Sequence, residues 1–141
     1  MALSLTLTMQ GLSQGFNYNK ITPDLFEEIN GSTKSGEMFQ AIVFLNEQFD
    51  AQKLTRQMQH FSKVQQREYV MNELQQVSRI GQTAILKDLH QGQKAELVED
   101  IQSFWIINAI SCSMTKDMVY AIADRPDVKY VMKDYEIHVT S

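Results

Sequence analysis

The stretch SFWIINAISCSM, residues 103–114, carries apolar side chains at both odd and even positions. An antiparallel strand with one face in water alternates apolar and polar side chains, whereas a strand covered on both faces does not. The stretch therefore predicts a strand with both faces covered. A chain of 141 residues is short, which raises the question of what covers the second face.

The composition indicates one globular, acidic domain. An apolar content of 43% is enough for a hydrophobic core. The formal net charge is −4, and nucleic-acid binding needs clustered Lys and Arg, so we expect no nucleic-acid partner. No apolar run approaches the roughly 18 residues of a membrane-spanning helix, and we expect no membrane partner either.

Residues able to carry chemistry are scattered along the chain. Cys112 is the only cysteine, so an internal disulfide is excluded, and its apolar neighbours favour a protonated, unreactive thiol. His60, His90 and His138 lack metal-ligand spacing. Motifs for a nucleophilic serine, a phosphate loop or a zinc protease do not occur. We expect a non-enzymatic domain without metal or cofactor.

The first part of the chain reads as an N-terminal extension, residues 1–37. MALSLTLTMQ, residues 1–10, alternates apolar and polar residues, which fits a short strand or the tail of a secretory signal. ITPDLFEEING, residues 21–31, predicts a short helix that begins with a capping Thr and a Pro and ends at a Gly. The following GSTKSGE has the composition of a linker. The main domain is expected at residues 38–141.

Six elements are predicted in the main domain. They are a strand at 38–47, a long or broken helix at 51–90 that ends at Gly92, strands at 94–102 and 104–114 joined by a tight turn at Gln102 and Ser103, a helix from Thr115 to about Ala123, and a last strand at 128–139. Forty helical residues would span about 60 Å, so the first helix is expected to kink, overhang or break near residues 65–68. The order is that of an α+β, ferredoxin-like βαββαβ fold with a four-stranded antiparallel sheet.

Both helices of this plan lie on one face of the sheet, because βαβ crossovers are right-handed. The opposite face has no cover within the domain. A strand that is apolar on both sides then implies a partner, since contiguous exposed apolar surface marks interaction sites. Two sets of residues are open as the partner-facing side of this strand: Trp105, Ile107 and Ala109, or Phe104, Ile106, Asn108 and Ile110.

Three segments carry a resemblance to a known family. They are the helical Arg67, Val70 and Leu74 with Gln82, Ile85 and Leu86 behind them, the FWIINA block of residues 104–109, and the RPDV block that opens residues 125–131. Together, and in this order, they resemble the N-terminal prodomain of subtilisin-like serine proteases, most closely the bacillopeptidase F-like type. The resemblance spans about residues 39–139.

This resemblance implies a secreted or periplasmic location and a role as intramolecular folding chaperone and temporary inhibitor of a cognate subtilisin-like catalytic domain. In that family the open sheet face covers two parallel surface helices of the protease, and the C-terminal tail runs through the active-site cleft. Acidic residues at the end of the last strand meet the N-termini of those helices, where the helix dipole favours anions.

Carried onto this sequence, the resemblance assigns two groups of residues. The protease-binding group is Tyr130, Met132, Asp134, Glu136 and Asn108, and the cleft-binding tail is Ile137, Val139 and Thr140. Asp134 falls on one of the acidic positions, whereas the other is occupied by Met132. An apolar contact is therefore expected where a charged one is usual. Asn108 is a polar residue in an apolar run and needs hydrogen-bond partners if it is buried.

An alternative reading is a free-standing ferredoxin-like module that dimerises or binds a regulatory ligand through the open sheet face, since fold alone does not define function. An RNA-recognition sheet is disfavoured by the acidity of the chain and by the lack of the aromatic RNA-binding motif on the third strand.

Overall fold

The computed structural model describes residues 18–135. Within them the chain forms a 3-10 turn and eight longer elements: Tyr18–Lys20 (turn), α1 Pro23–Gly31, β1 Met38–Leu45, α2 Ala51–Gln57, α3 Lys63–Lys94, β2 Val98–Phe104, β3 Ala109–Thr115, α4 Lys116–Ala123 and β4 Val128–Lys133. The strands pair antiparallel in the order β2-β3-β1-β4. The predicted α+β, ferredoxin-like fold is confirmed.

The core lies between one face of the sheet and the helices. Alternate residues along β1 and β3 point to this side because side-chain direction in a strand has a period of two. The strand residues on this side are Phe39, Ala41, Val43, Leu45, Ile110, Cys112 and Met114, and α3 and α4 contribute Ile85, Leu89, Val119 and Ile122. Each of them is at most 2% exposed. The other face of the sheet carries no helix among the described residues.

The predicted long helix is two helices with an overhang. α2 ends at Gln57 and α3 begins after Ser62, so the break lies before the predicted position at residues 65–68. Ser62 forms a capping box, in which its hydroxyl accepts from the backbone N–H of Gln65 and its own N–H donates to the Gln65 side chain. The buried residues of α3 start only at Ser78. Its first half therefore extends past the sheet.

The hairpin differs from the sequence prediction. β2 continues to Phe104, and residues 105–108 form the turn before β3 starts at Ala109. The predicted turn at Gln102 and Ser103 is wrong, and so is the strand with two apolar faces. Ile106 and Ile107 lie exposed at the tip of this turn, and the open face of β3 carries Ser111 and Ser113 instead.

Asn108 explains why the chain turns where it does. Its φ of 42° lies in the left-handed region, which Asn tolerates better than most residues. The side chain is 2% exposed, and its Oδ1 accepts a hydrogen bond of 3.0 Å from Gln82 Nε2 on α3. Gln82 Nε2 also donates to the carbonyl of Phe104 at 3.0 Å, and the Ser103 hydroxyl donates to Gln82 Oε1. This buried network joins the hairpin to α3, so the hydrogen-bond partners that Asn108 was expected to need are present.

The described part of the N-terminal extension packs into the same core. α1 forms as predicted, and its Leu25 and Ile29 are 0% and 1% exposed. Ile21 makes a parallel β-bridge to Val131 at the edge of β4. The domain boundary after residue 37 stays a prediction, and the alternating stretch at residues 1–10 lies outside the described residues.

Gly92 lies inside α3, which continues to Lys94, so its predicted role as the helix end is wrong. A Cβ at this position would lie 2.8 Å from Val98 Cγ2 and 3.1 Å from Met118 Cε. We therefore expect Gly92→Ala to lower the free energy of unfolding by about 1–2 kcal/mol, the overpacking cost less the gain in helix propensity. Urea denaturation followed by circular dichroism measures this change.

The matched control is Gly31→Ala, because a Cβ at Gly31 would have no atom within 4 Å. It is expected to be neutral or to stabilise by up to about 1 kcal/mol. Equal effects of the two substitutions would contradict the close approach of α3 to β2 and α4 at Gly92.

Candidate functional site on the open face of the sheet

The register of the strands defines which side chains share the face without helices. Directly paired residues of antiparallel strands point to the same side. Ile42 pairs with Ser111 and Met132, and Phe44 pairs with Ala109 and Tyr130. Adding β2 and the first residue after β4, the open face consists of Gln40, Ile42, Phe44, Glu99, Gln102, Phe104, Ala109, Ser111, Ser113, Tyr130, Met132 and Asp134.

One part of this face is apolar. The rings of Phe44 and Tyr130 stack across β1 and β4 with centroids 4.6 Å apart and planes inclined by 22°. Ile42 and Met132 form the next cross-strand pair, and all four side chains are partly exposed. This apolar patch, made of Ile42, Phe44, Tyr130 and Met132, lies on the two strands β1 and β4 rather than on β3.

The other part of the face is polar and acidic. Asp134 continues the pairing of β4, because its backbone N–H donates to the carbonyl of Gln40 at 3.1 Å. Its carboxylate accepts a hydrogen bond of 3.1 Å from the Ser111 hydroxyl. Asp100 lines the same shallow depression as Gln40, Ser111 and Asp134. Two carboxylates from opposite edges of the sheet therefore border the end of the face at which β4 finishes.

Of the four predicted site residues that the structure describes, three are brought together and one is not. Tyr130, Met132 and Asp134 share the open face, as the alternation of β4 requires. Asn108 is buried in its network with Gln82 and does not lie on this face. The remaining predicted residues, Glu136, Ile137, Val139 and Thr140, lie outside the described residues.

Neither of the two partner-facing sets proposed for residues 104–110 exists as a set. Ala109 and Phe104 come from different sets and pair on the open face, whereas Ile110 lies beneath the helices with 0% exposure. Trp105 is partly exposed in the turn and does not belong to the core cluster. The turn at 105–108 separates the two strands, so one parity cannot run through the stretch.

Comparison with known protein families identifies the chain. The model of the family described as peptidase inhibitor I9 matches residues 42–140, well over half of the sequence. The chain belongs to the peptidase inhibitor I9 family. Domains of this family are non-catalytic propeptide domains that inhibit peptidases, so the general class of partner is a protease. No curated protein and no solved structure gives a significant match.

The RPDV block of this peptidase inhibitor I9 domain holds the fold rather than the open face. The guanidinium of Arg125 donates two hydrogen bonds of 2.9 Å to the two carboxylate oxygens of Asp127 and also pairs with Asp88 on α3. The hydrogen bond to Asp127 and the charges of both carboxylates raise the pKa of Arg125. The carbonyl of Asp127 in turn accepts from the N–H of Asn46 at 2.9 Å. The block fixes the start of β4 against α3 and the end of β1.

Sites of other kinds find no support within residues 18–135. Burial raises the pKa of the Cys112 thiol to about 12, which keeps it protonated at neutral pH. Among these residues no three His, Cys, Asp or Glu side chains converge as metal ligands would. A helix with the length and apolar content needed to cross a membrane is also not found in this part of the I9 domain.

Proposed function

We propose that this I9 domain is the prodomain of a subtilisin-like serine protease, of the bacillopeptidase F-like type, and that it acts as a temporary inhibitor and folding chaperone of its cognate catalytic domain. The protease covers the open face of the sheet. The tail that follows β4 occupies the active-site cleft, with Ile137, Val139 and Thr140 as its contacts. The location that fits this role is secreted or periplasmic, as is typical of the family's proteases.

The layout of the open face carries this proposal. Its apolar patch lies on β1 and β4, and its two carboxylates lie at the end where β4 finishes. The same edge of the sheet therefore presents an apolar contact surface and releases the chain toward the tail. A partner that binds the patch therefore lies beside the point at which the chain leaves β4.

The carboxylates fit the N-termini of helices on the protease. Backbone N–H groups at a helix N-terminus are unpaired and carry partial positive charge, so they bind carboxylates. Among the described contacts the carboxylate of Asp134 accepts one side-chain hydrogen bond, from Ser111, and a carboxylate can accept several. Asp100 supplies a second carboxylate from β2, at the edge of the sheet opposite to the one that carries Met132. The acidic position that the sequence replaces with Met132 is thus compensated from another strand.

The direct experiment mixes the purified chain with its cognate mature protease. We expect slowed cleavage of a chromogenic peptide with an inhibition constant below about 1 μM, equivalent to about −8 kcal/mol. We also expect faster recovery of activity when the denatured catalytic domain is refolded with the chain than when it is refolded alone. Progress curves and refolding time courses give the two readouts.

Absence of both effects would refute the prodomain role. Sedimentation then tests the alternative, a free-standing module. A stable dimer that is independent of concentration would favour a module that pairs through the open face. A protease–inhibitor contact of about 800 Å² per partner would be of ordinary size.

A further inference from the structure

Helix α1 contacts the chain at the point where it leaves β4. Lys133, the last residue of β4, forms an ion pair of 2.9 Å with Glu28 on α1. Two residues later, the hydroxyl of Tyr135 donates to the carboxylate of Asp24. The Lys133 ammonium also lies 5.1 Å from the centroid of the Tyr135 ring, within the range of a cation–π contact. Two acidic residues of one helix thus hold two residues at the exit of the last strand.

The helix that makes these contacts is itself firmly anchored. Leu25 and Ile29 lie on its inner side and are 0% and 1% exposed. Immediately before the helix, the N–H of Thr22 donates to the carbonyl of Val131 at 3.0 Å, and Ile21 bridges to the same residue. Through the contacts to Lys133 and Tyr135, the residues at the exit of β4 are therefore attached to a helix that is packed into the core.

Asp24 and Lys133 keep their charges at neutral pH. A hydrogen bond from the Thr22 hydroxyl, followed by that from Tyr135, holds the pKa of Asp24 below its usual value. The hydrogen bond with Glu28 raises the pKa of Lys133. Both shifts keep the paired, charged forms in place, because each group stays ionised over a wider pH range.

The family match begins at residue 42 and so excludes α1. We propose that α1 is a clamp that fixes the direction in which the tail leaves β4 and thereby aligns it with the protease cleft. This inference rests on the proposed function. Glu28 and Asp24 act as positioning residues, since they touch the exit of β4 and not the open face that the partner covers.

A charge-swap experiment tests the clamp. The variants are Glu28→Lys, Lys133→Glu and the two together, with Glu27→Lys as the control because Glu27 is the exposed neighbour on the same helix. Two quantities are measured: the inhibition constant against the cognate mature protease, and the amide hydrogen exchange of a peptide covering residues 130–135. Exchange in β2 serves as the internal reference.

Each single swap is expected to raise the inhibition constant about five-fold and to speed exchange at residues 130–135 but not in β2. The double swap restores the ion pair, and we expect both quantities to return to within about two-fold of the parent. Glu27→Lys is expected to change neither. Additive losses in the double variant, or an equal effect of Glu27→Lys, would overturn the clamp.

The two proposals fail in different ways. If the parent chain does not inhibit the protease, the proposed function fails, and the exchange data alone judge the clamp. Faster exchange in the single variants with recovery in the double variant supports the ordering of the exit by α1. Unchanged exchange in every variant overturns it, even where inhibition is intact.

Discussion

Gln82→Met is expected to lower the free energy of unfolding by about 3 kcal/mol, although it replaces one unbranched side chain by another of similar length. Gln82 is 2% exposed and joins α3 to both ends of the hairpin turn. Methionine leaves Asn108 Oδ1, which is buried, and the Phe104 carbonyl, which is partly buried, without this partner, and such groups are costly when unpaired. The bond from the exposed Ser103 hydroxyl is lost as well. Urea denaturation monitored by circular dichroism gives the free energy.

Gln91→Met is the control, because Gln91 is an exposed residue of the same helix and its substitution should stay within about 0.5 kcal/mol. A loss below about 1 kcal/mol for Gln82→Met would contradict the buried network. Asn108→Ala extends the test, since in a double-mutant cycle the two losses should be less than additive. At temperatures where the Asn108→Ala variant is fully folded, its inhibition constant should equal that of the parent.

This network also shows why the hairpin was mispredicted. The letters of residues 103–114 give a run of apolar side chains, and such runs predict strand wherever no Gly or Pro interrupts them. The turn instead depends on Asn108, which tolerates the left-handed backbone and is held by Gln82, 26 positions earlier in the chain. A contact of that range leaves no local pattern, so periodicity alone could not place the turn.

The open face was predictable on β4, where side chains alternate, but not on β1. Alternation along β4 assigns Tyr130, Met132 and Asp134 to one side, which the structure confirms. β1 is apolar at both parities, so its open-face residues Ile42 and Phe44 were not identified until the register was known. The local signal in β1 is Gln40, a polar residue at the same parity as Ile42 and Phe44.

The role of Asp100 on the open face and the docking of α1 on β4 were missed because they depend on irregular or long-range structure. Asp100 has a φ of 55° and lies where the register of β2 against β3 shifts, between Glu99 and Gln102. A bulge of this kind changes the direction of a side chain, which period-two counting cannot follow. The helix α1 was predicted, but its docking on β4 joins Glu28 to Lys133 across more than a hundred residues, and composition favoured a detached extension.

Tyr130→Ala is expected to raise the inhibition constant against the cognate protease by at least about 30-fold. Tyr130 belongs to the apolar patch and stacks on Phe44 at 4.6 Å, and aromatic residues buried at interfaces commonly contribute 2 kcal/mol or more to binding. The substitution also removes the stacking within the free domain, so the constant is measured at a temperature where unfolding curves show the variant fully folded.

Ile80→Ala is the matched control, because Ile80 is an apolar residue of α3 that is 63% exposed and lies on the helix side of the sheet. If the protease covers the open face, truncating Tyr130 weakens inhibition while truncating Ile80 leaves it within about two-fold, since scattered surface contacts contribute little. Equal effects of the two substitutions would mean that the protease does not bind the open face. If the parent chain is a dimer and Tyr130→Ala makes it monomeric, the apolar patch binds a second copy of the chain. Self-association and protease binding would then compete for one surface.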